Sequence, residues 1–155
     1  MPSCRTITAA SPGEGYLGWH TYPVMYGPER SGMWANLGAR LTGRDPGDVV
    51  VEAHLTADAH GFATSRGTIV HGGAIAALAD MALASAGASV ARDGQVVTTV
   101  DLRVDFLQPA RPGRLLARGR VQRRTRRLCF AAASVEQEDG TVVAEARALL
   151  AYVAG

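Results

Sequence analysis

The sequence contains no lysine, and all sixteen of its basic residues are arginine. This absence excludes a P-loop lysine, a Schiff-base lysine and a Ser-Lys catalytic dyad. Fourteen acidic residues leave a formal net charge of +2, which is too small to indicate a nucleic-acid partner by itself. Cysteine is scarce as well. Cys4 lies near the N-terminus and Cys129 inside a predicted strand, so we expect no disulfide.

We expect no secretory signal peptide, since the first twenty residues contain no continuous apolar stretch. The run 72–91 is long enough to span a membrane, but it is rich in Ala and Gly and carries an acid near its middle. Strand-like segments follow it closely, which favours a buried helix in a cytoplasmic protein. A length of 155 residues, with 47% hydrophobic and 19% charged residues, fits one globular domain.

Alternating hydrophobic residues predict strands on both sides of this helix. Before it, strands are predicted at 37–42 and 48–56, and 57–70 is predicted to be a loop. After it, strands are predicted at 96–106, 115–122, 127–138 and 142–153. In the first of these, one face is predicted to hold Val96, Thr98, Val100, Leu102, Val104 and Phe106.

Two strands, one long helix and four strands are the order expected of an antiparallel sheet with one helix on one face, an α+β fold. We expect a single domain over 36–155, preceded by an arm over 1–35 that is rich in Gly, Pro and Tyr and has a short helix near 29–34. A sheet that wraps around one helix covers it only partly, so we expect a homodimer to bury the remaining apolar surface.

Asp80 is the only charged residue in the apolar run 72–91. Burial of an unpaired carboxylate costs roughly several kcal/mol, so this residue needs a specific role. Catalysis is one role, and a structural contact with an arginine, Ser85 or Ser89 is the alternative. Gly72 and Gly73 open the helix, where backbone N–H groups lack intrahelical partners and a carbonyl oxygen can approach closely. Close helix–sheet packing is the alternative explanation for the two glycines.

The spacing of Gly72 and Asp80 carries a geometric consequence. Asp80 lies two helical turns after Gly72, about 12 Å along the axis at about 1.5 Å per residue. One helix therefore cannot bring both groups to the same carbonyl, whereas an antiparallel helix from a second copy can. The sequence predicts an oxyanion-binding site that lies across the dimer interface.

The segment Val70-His71-Gly72-Gly73-Ala74-Ile75-Ala76-Ala77-Leu78-Ala79-Asp80 resembles hotdog-fold acyl-CoA thioesterases of the phenylacetate-degradation (PaaI) and 4-hydroxybenzoyl-CoA thioesterase type. Weaker agreement runs through 104–113 and around Asp139-Gly140, so the resemblance covers about 37–153. It implies an antiparallel sheet of five to six strands wrapped around one long central helix. It also implies that the Gly72 N–H polarises the thioester while Asp80 of the partner subunit acts as nucleophile or general base. No cofactor is implied, since coenzyme A is part of the substrate.

The resemblance also suggests substrate contacts around the helix. His71 and Gly73 are candidates, although anchoring of the loop is the alternative for His71. Relatives place Asn or Gln six residues before this His, where the present chain has Ser65, or Thr64 if one residue is inserted. A hydroxyl found in relatives one turn beyond the acid would fall on Ala84, and Ser85 is the nearest substitute. None of the four histidines has metal-site spacing, so we expect no metal.

An arginine belt occupies the segment between Arg103 and Arg127, which holds nine arginines and a single acid. Guanidinium groups bind phosphate bidentately, and coenzyme A carries a pyrophosphate and a 3′-phosphate. Arg126 and Arg127, at a predicted strand connection, are therefore candidate substrate contacts, with a solvated arginine-rich edge as the alternative. We do not expect a nucleic-acid partner, because aromatic residues for base stacking are lacking nearby.

The expected function is hydrolysis of a small or aromatic acyl-CoA. Two alternatives stay open at this point: a hotdog protein that binds acyl-CoA without hydrolysis, and a thioesterase that acts on acyl-carrier-protein thioesters in a biosynthetic pathway. In the second alternative, the arginine belt would contact the acidic carrier. Dimers are expected to pair into a dimer of dimers. Trp19, Tyr26 and Trp34 either line the acyl pocket or are ordinary core or surface aromatics.

Overall fold

Six antiparallel strands form one sheet, and a single long helix packs against it. The computed structural model describes residues 32–154. Its elements are α1 (Gly32–Asn36), β1 (Arg40–Asp45), β2 (Asp48–Leu55), α2 (Ala57–His60), β3 (Gly61–Thr64), β4 (Gly67–Val70), α3 (Gly72–Ala88), β5 (Gln95–Phe106), β6 (Gly113–Arg124), β7 (Leu128–Gln137) and β8 (Val142–Ala154). The sheet order is β1-β2-β6-β7-β8-β5, and β3 and β4 form a separate hairpin. The six-stranded sheet and its helix confirm the predicted α+β architecture.

The core lies between α3 and the sheet. Leu78 and Leu83 of the helix are fully buried, as are Leu115 and Leu150 of the strands. The helix can approach the sheet closely because Gly119 of β6 has no side chain. A Cβ atom at this position would collide with the carbonyl oxygen of Ala82.

Side chains from distant strands fix the C-terminal end of α3. The Tyr152 hydroxyl of β8 donates to the Gly87 carbonyl oxygen at 2.9 Å. Burial raises the pKa of Tyr152, so the donating hydroxyl keeps its proton at neutral pH. The Ser89 hydroxyl accepts the N–H of Gly47, at 2.7 Å, and thereby connects the helix to the β1–β2 turn. The long helix therefore has a fixed position on the sheet.

Two segments before α3 differ from the sequence prediction. The predicted loop over 57–70 instead contains α2 and the β3–β4 hairpin, and Thr56 caps α2 by accepting the Ala59 N–H at 3.3 Å. These elements are short and largely exposed, so they leave no hydrophobic periodicity in the sequence. The first strand begins at Arg40 rather than at 37. Residues 37 and 38 instead follow the end of α1, where Gly38 has a φ of 55°.

Strand β5 changes face at a β-bulge. Its pairing with β8 shifts register between Thr99 and Asp101, which leaves Val100 as the extra residue, 60% exposed. Before the bulge, Val97 and Thr99 point toward the helix, and after it Leu102 and Val104 do so. The prediction of one continuous face from Val96 to Phe106 is therefore wrong for the half that precedes the bulge.

Other predictions concern the ends of the chain and its thiols. Trp34 of α1 is 5% exposed and belongs to the core, whereas Trp19, Tyr26 and most of the predicted arm over 1–35 lie outside the described residues. The short helix predicted near 29–34 is seen as α1. Cys129 is a buried free cysteine, and Cys4 lies outside the described residues. Within 32–154, no helix is both long enough and apolar enough to cross a membrane.

Candidate active site

The first turn of α3 presents one backbone N–H that no group of residues 32–154 accepts. The Gly73 N–H donates to His71 Nδ1 at 3.0 Å, and the Ala74 and Ile75 N–H groups donate to the His71 carbonyl oxygen. The Gly72 N–H is left at the positive end of the helix dipole. A backbone N–H in this position can bind a carbonyl oxygen that gains negative charge.

His71 anchors the start of the helix through its ring. Because Nδ1 accepts the Gly73 N–H, the proton of the neutral imidazole is assigned to Nε2. The ring makes an edge contact with Phe62 of β3 at a centroid distance of 5.9 Å. Its backbone N–H donates to the His60 carbonyl oxygen at 2.7 Å. These contacts correspond to the anchoring role and leave Nε2–H as the remaining donor of the ring.

Asp80 is half-buried near the middle of α3, and its partner is Thr99 of β5. The Thr99 hydroxyl donates to Asp80 Oδ1 at 2.8 Å. No arginine among residues 32–154 pairs with Asp80, and Ser89 uses its hydroxyl on Ala86 and Gly47 instead. Oδ2 of Asp80 therefore has no protein donor within the described chain, so it is available to a water molecule or a substrate.

Sequence reasoning missed Thr99. The predicted alternation placed this residue on the face opposite the helix, and the bulge at Val100 reverses that placement. The available signal was a hydroxyl residue, Thr99, in a strand that packs against an apolar helix with a single acid. This signal could be used only if the alternation was known to break near Val100, and no Gly or Pro marks that break in the sequence.

The side of α3 that faces away from the sheet consists of small residues around Asp80. Gly73, Ala76, Ala77 and Ala84 share this partly exposed side. The helix is continuous from Gly72 to Ala88, so Gly72 and Asp80 of one chain remain about 12 Å apart along its axis. The two candidate catalytic groups therefore do not meet within one chain.

Three further candidates lie away from Asp80. Ser85 is 1% exposed and follows Asp80 by five residues, which turns it about 140° around the helix toward the sheet. Thr64 and Ser65 lie at the tip of the β3–β4 hairpin, about 10 Å from its base beside the helix start, at about 3.4 Å per residue. The Thr64 hydroxyl donates to the Gly67 carbonyl oxygen at 2.6 Å within this turn.

The structure divides the arginine belt into a paired and an unpaired group. Four of its arginines form ion pairs across the outer face of the sheet: Arg103–Asp105, Arg114–Glu52, Arg118–Glu136 and Arg120–Asp48. Arg126 and Arg127 are exposed in the β6–β7 turn and form no ion pair with residues 32–154. The side-chain amide of Gln95, which opens β5, donates to the Arg126 carbonyl oxygen at 3.3 Å. The unpaired arginines thus lie toward the C-terminal end of α3, away from Gly72.

A cavity of about 430 Å³ opens beside the first turns of α3. Its lining consists of Met33, Asn36, Leu37, Ala59, His60, Gly73, Ala74 and Ala77. Most of these residues are apolar or small, and none is Asp, Glu or Arg. The sequence did not point to this cavity, because α2 was interpreted as part of a loop. Within residues 32–154, no three His, Cys, Asp or Glu side chains lie close enough together to hold a metal ion.

Comparison with known proteins identifies the family of the chain. The family model of the thioesterase superfamily matches residues 67–144, a span that contains α3, Asp80 and Thr99. The chain belongs to the thioesterase superfamily. The protein is therefore a thioester hydrolase with the predicted hotdog fold. No curated protein matches the chain.

Solved structures similar to the chain come from several bacteria. The PaaI protein from the phenylacetic acid degradation operon of E. coli is 25% identical, with a TM-score of 0.76 over 88% of this chain and 94% of that chain. A thioesterase family protein from Silicibacter pomeroyi is 28% identical, with a TM-score of 0.73 over 82% and 93%. A phenylacetic acid degradation-related protein from Ralstonia eutropha JMP134 is 29% identical, with a TM-score of 0.68 over 76% and 86%.

Proposed function

We propose that the protein hydrolyses acyl-CoA thioesters at a site between two copies of the chain. The Gly72 N–H of one copy binds the thioester carbonyl oxygen, and Asp80 of the other copy attacks the carbonyl or activates water. The observation that carries this proposal is the half-buried Asp80 carboxylate, oriented by Thr99 and surrounded by small residues. The Gly72 N–H, which no group of residues 32–154 accepts, supports the other half of the site.

Two surfaces next to Asp80 support a dimer. One is the small-residue side of α3, which permits a second helix to approach closely. The other is the outer edge of β5, a strand of 12 residues at the end of the sheet order, which pairs with no strand of residues 32–154. A long strand edge of this kind is normally paired or covered in native proteins. A twofold axis that makes the helices antiparallel would bring each Asp80 to the Gly72 of the other copy, giving two equivalent sites.

The chemistry follows from the two carboxylate oxygens. Thr99 fixes Oδ1, so Oδ2 faces the reacting groups. As a general base, Oδ2 takes a proton from water while the water oxygen adds to the carbonyl carbon. The Gly72 N–H stabilises the oxyanion, the C–S bond then breaks, and the proton passes to the leaving thiolate. As a nucleophile, Oδ2 would instead form an anhydride that water hydrolyses, with the same products, a free acid and CoA-SH.

The unpaired Arg126 and Arg127 are proposed contacts for the coenzyme A phosphates. They lie beyond the C-terminal end of α3, and Ala88 is about 12 Å along the axis from Asp80 at about 1.5 Å per residue. A remote phosphate site suits coenzyme A, because the long pantetheine arm separates the thioester from the nucleotide. Contact with an acidic carrier protein is the competing role for these arginines. The similarity to the E. coli protein from a phenylacetic acid degradation operon favours a small or aromatic acyl group.

Release of free thiol from a panel of acyl-CoAs tests the proposal. We expect Asp80→Asn and Asp80→Ala to lower kcat by about 10²- to 10⁴-fold, the usual contribution of a positioned acid or base. Asp58→Asn, an exposed acid on α2, is the matched control and should retain wild-type activity. Equal hydrolysis by wild type and Asp80→Ala would refute the mechanism. Binding of acyl-CoA without turnover by wild type would favour the non-hydrolytic function, and much faster release from acyl-carrier thioesters would favour the carrier-protein substrate.

A further inference from the structure

We infer that Met33 on helix α1 sets the length of the acyl group that the site accepts. This inference rests on the proposed function, because it assigns the acyl chain to the 430 Å³ cavity beside α3. The cavity starts beside the Gly72 N–H, the proposed carbonyl-binding group of the same chain. Gly73 immediately follows the Gly72 donor, and Ala77 lies one turn before Asp80, and both residues line the cavity.

Small residues leave room for an acyl chain on the helix side of the cavity. Gly73, Ala74 and Ala77 of α3, together with Ala59 of α2, have no atom beyond Cβ. The carbonyl carbon of a thioester carries two substituents, the acyl chain and the sulfur of the coenzyme A arm. When the carbonyl oxygen accepts the Gly72 N–H, one of these substituents points toward these residues. Since the cavity lining given by residues 32–154 holds no arginine for the coenzyme A phosphates, the acyl substituent is the one that we assign to the cavity.

Helix α1 forms the outer wall. Met33 and Asn36 are three residues apart and therefore share one side of this helix, while the buried Trp34 holds α1 to the core. Met33 is 52% exposed, and its flexible thioether side chain is free to close over a ligand. The position of its side chain thus limits the depth that is available to the acyl chain.

A histidine, His60, holds this wall in place. His60 Nε2 lies 2.8 Å from the Asn36 carbonyl oxygen, and its Nδ1 accepts the Thr56 N–H at 2.9 Å. Nε2 therefore links α2 to α1, while Nδ1 is engaged within the turn of α2 itself. Residues 32–154 contribute no Asp, Glu or Arg to the lining, so a charged acyl group would lose its hydration without compensation from them. The substrate class that fits is a neutral, mainly apolar acyl group of medium size, because the volume lies in the lower part of the range of ligand pockets.

The test measures kcat/KM for free-thiol release from saturated straight-chain acyl-CoAs of increasing length. For wild type, we expect a gain of about fourfold per methylene until the chain fills the cavity. Met33→Trp should move this limit to shorter chains and Met33→Ala to longer ones. Ala59→Leu should shorten the limit from the α2 side. Ala35→Leu, on the exposed surface of α1 outside the cavity, is the matched control and should keep the wild-type profile.

The outcomes separate this inference from the proposed function. If Met33→Trp and Ala59→Leu hydrolyse acyl-CoAs with the wild-type length limit, the inference is wrong and the proposed function stands. If Met33→Trp changes the oligomeric state in sedimentation without changing the length limit, a second copy occupies the cavity and the inference is again wrong. If wild type hydrolyses no acyl-CoA, the proposed function fails, and the inference fails with it.

Discussion

At the scale of single residues, the Thr99–Asp80 hydrogen bond supports the proposed catalytic role of Asp80 over a structural one. A structural acid in an apolar helix would be expected to have both oxygens satisfied. Here one oxygen accepts from Thr99 at 2.8 Å, and the other has no donor within residues 32–154. Thr99 thus orients the carboxylate without occupying the oxygen that is needed for chemistry.

Replacing Thr99 tests this orientation. We expect Thr99→Val, which keeps the shape but removes the hydroxyl, to lower kcat by about tenfold while KM stays close to wild type, because a small misplacement of a reacting group slows the chemical step. Steady-state kinetics of free-thiol release provide the measurement. The neighbouring Thr98 is exposed and serves as the matched site, so Thr98→Val should leave kcat unchanged. An unchanged kcat in Thr99→Val would contradict the positioning role.

The Gly72 N–H can be deleted without removing any hydrogen bond to residues 32–154. Gly72 is the first residue of α3, where proline is tolerated, and His71 before it has the extended backbone (φ −64°, ψ 134°) that proline requires of its predecessor. We expect Gly72→Pro to lower kcat by about 10²- to 10³-fold, as is usual when one oxyanion donor is lost.

Gly72→Ala is the control for this substitution. It adds the same Cβ atom beside the Phe106 ring, with the nearest approach at 3.1 Å, but it retains the N–H. Its kcat should therefore lie much closer to wild type than that of Gly72→Pro. If both variants lose activity equally, crowding against Phe106 explains the loss and the backbone donor has no role.

At the scale of secondary-structure elements, ion pairs join the strands at one side of the sheet. Glu52 of β2 accepts from Arg40 of β1 at 2.6 Å and from Arg114 of β6 at 2.7 Å. The hydrogen bond from Arg114, followed by that from Arg40, holds the pKa of Glu52 below its ordinary value. A carboxyl whose pKa is lower in the folded state stabilises the fold above its unfolded pKa, and this contribution disappears as the pH falls through the folded pKa.

The pH dependence of unfolding tests this three-strand link. At pH 7 we expect Glu52→Gln to lower the free energy of unfolding by about 1 kcal/mol, since both arginine partners are largely exposed to solvent. The difference from wild type should shrink below about pH 4.5, where the carboxyl of the unfolded chain takes up its proton. Urea unfolding at several pH values gives the measurement, with Glu145→Gln as an exposed control on the same sheet face. A difference that does not change with pH would show that the charge of Glu52 contributes nothing.

The same elements show how far sequence patterns reach. Strands β2 and β8 have regular alternation over many residues, and helix α3 is one continuous apolar run, so the positions of all three could be predicted. The β3–β4 hairpin and α2 could not, because four-residue elements on the surface have no buried face to leave a pattern. The bulge at Val100 was also hidden, since a register shift depends on the partner strand and not on local residue preference.

At the scale of the whole molecule, the candidate site divides into a part that is local and a part that is not. Gly72 and Asp80 are on one helix and could be found from their spacing. Thr99 and the cavity residues Met33 and Ala59 come from other segments, so only the tertiary structure brings them together with α3. The proposed dimer brings together Gly72 and Asp80, which one chain keeps about 12 Å apart.

Complementation between two inactive variants tests the dimer-spanning site most directly. Asp80→Asn and Gly72→Pro are each expected to be nearly inactive as separate homodimers. When the two chains are unfolded, mixed in equal amounts and refolded, half of the dimers should be mixed. Each mixed dimer contains one site with an intact Gly72 N–H and an intact Asp80, because these groups come from different copies. We predict recovery of about a quarter of the wild-type kcat from this random pairing of protomers. No recovery, despite mixed dimers shown by native mass spectrometry, would contradict a site shared between two chains.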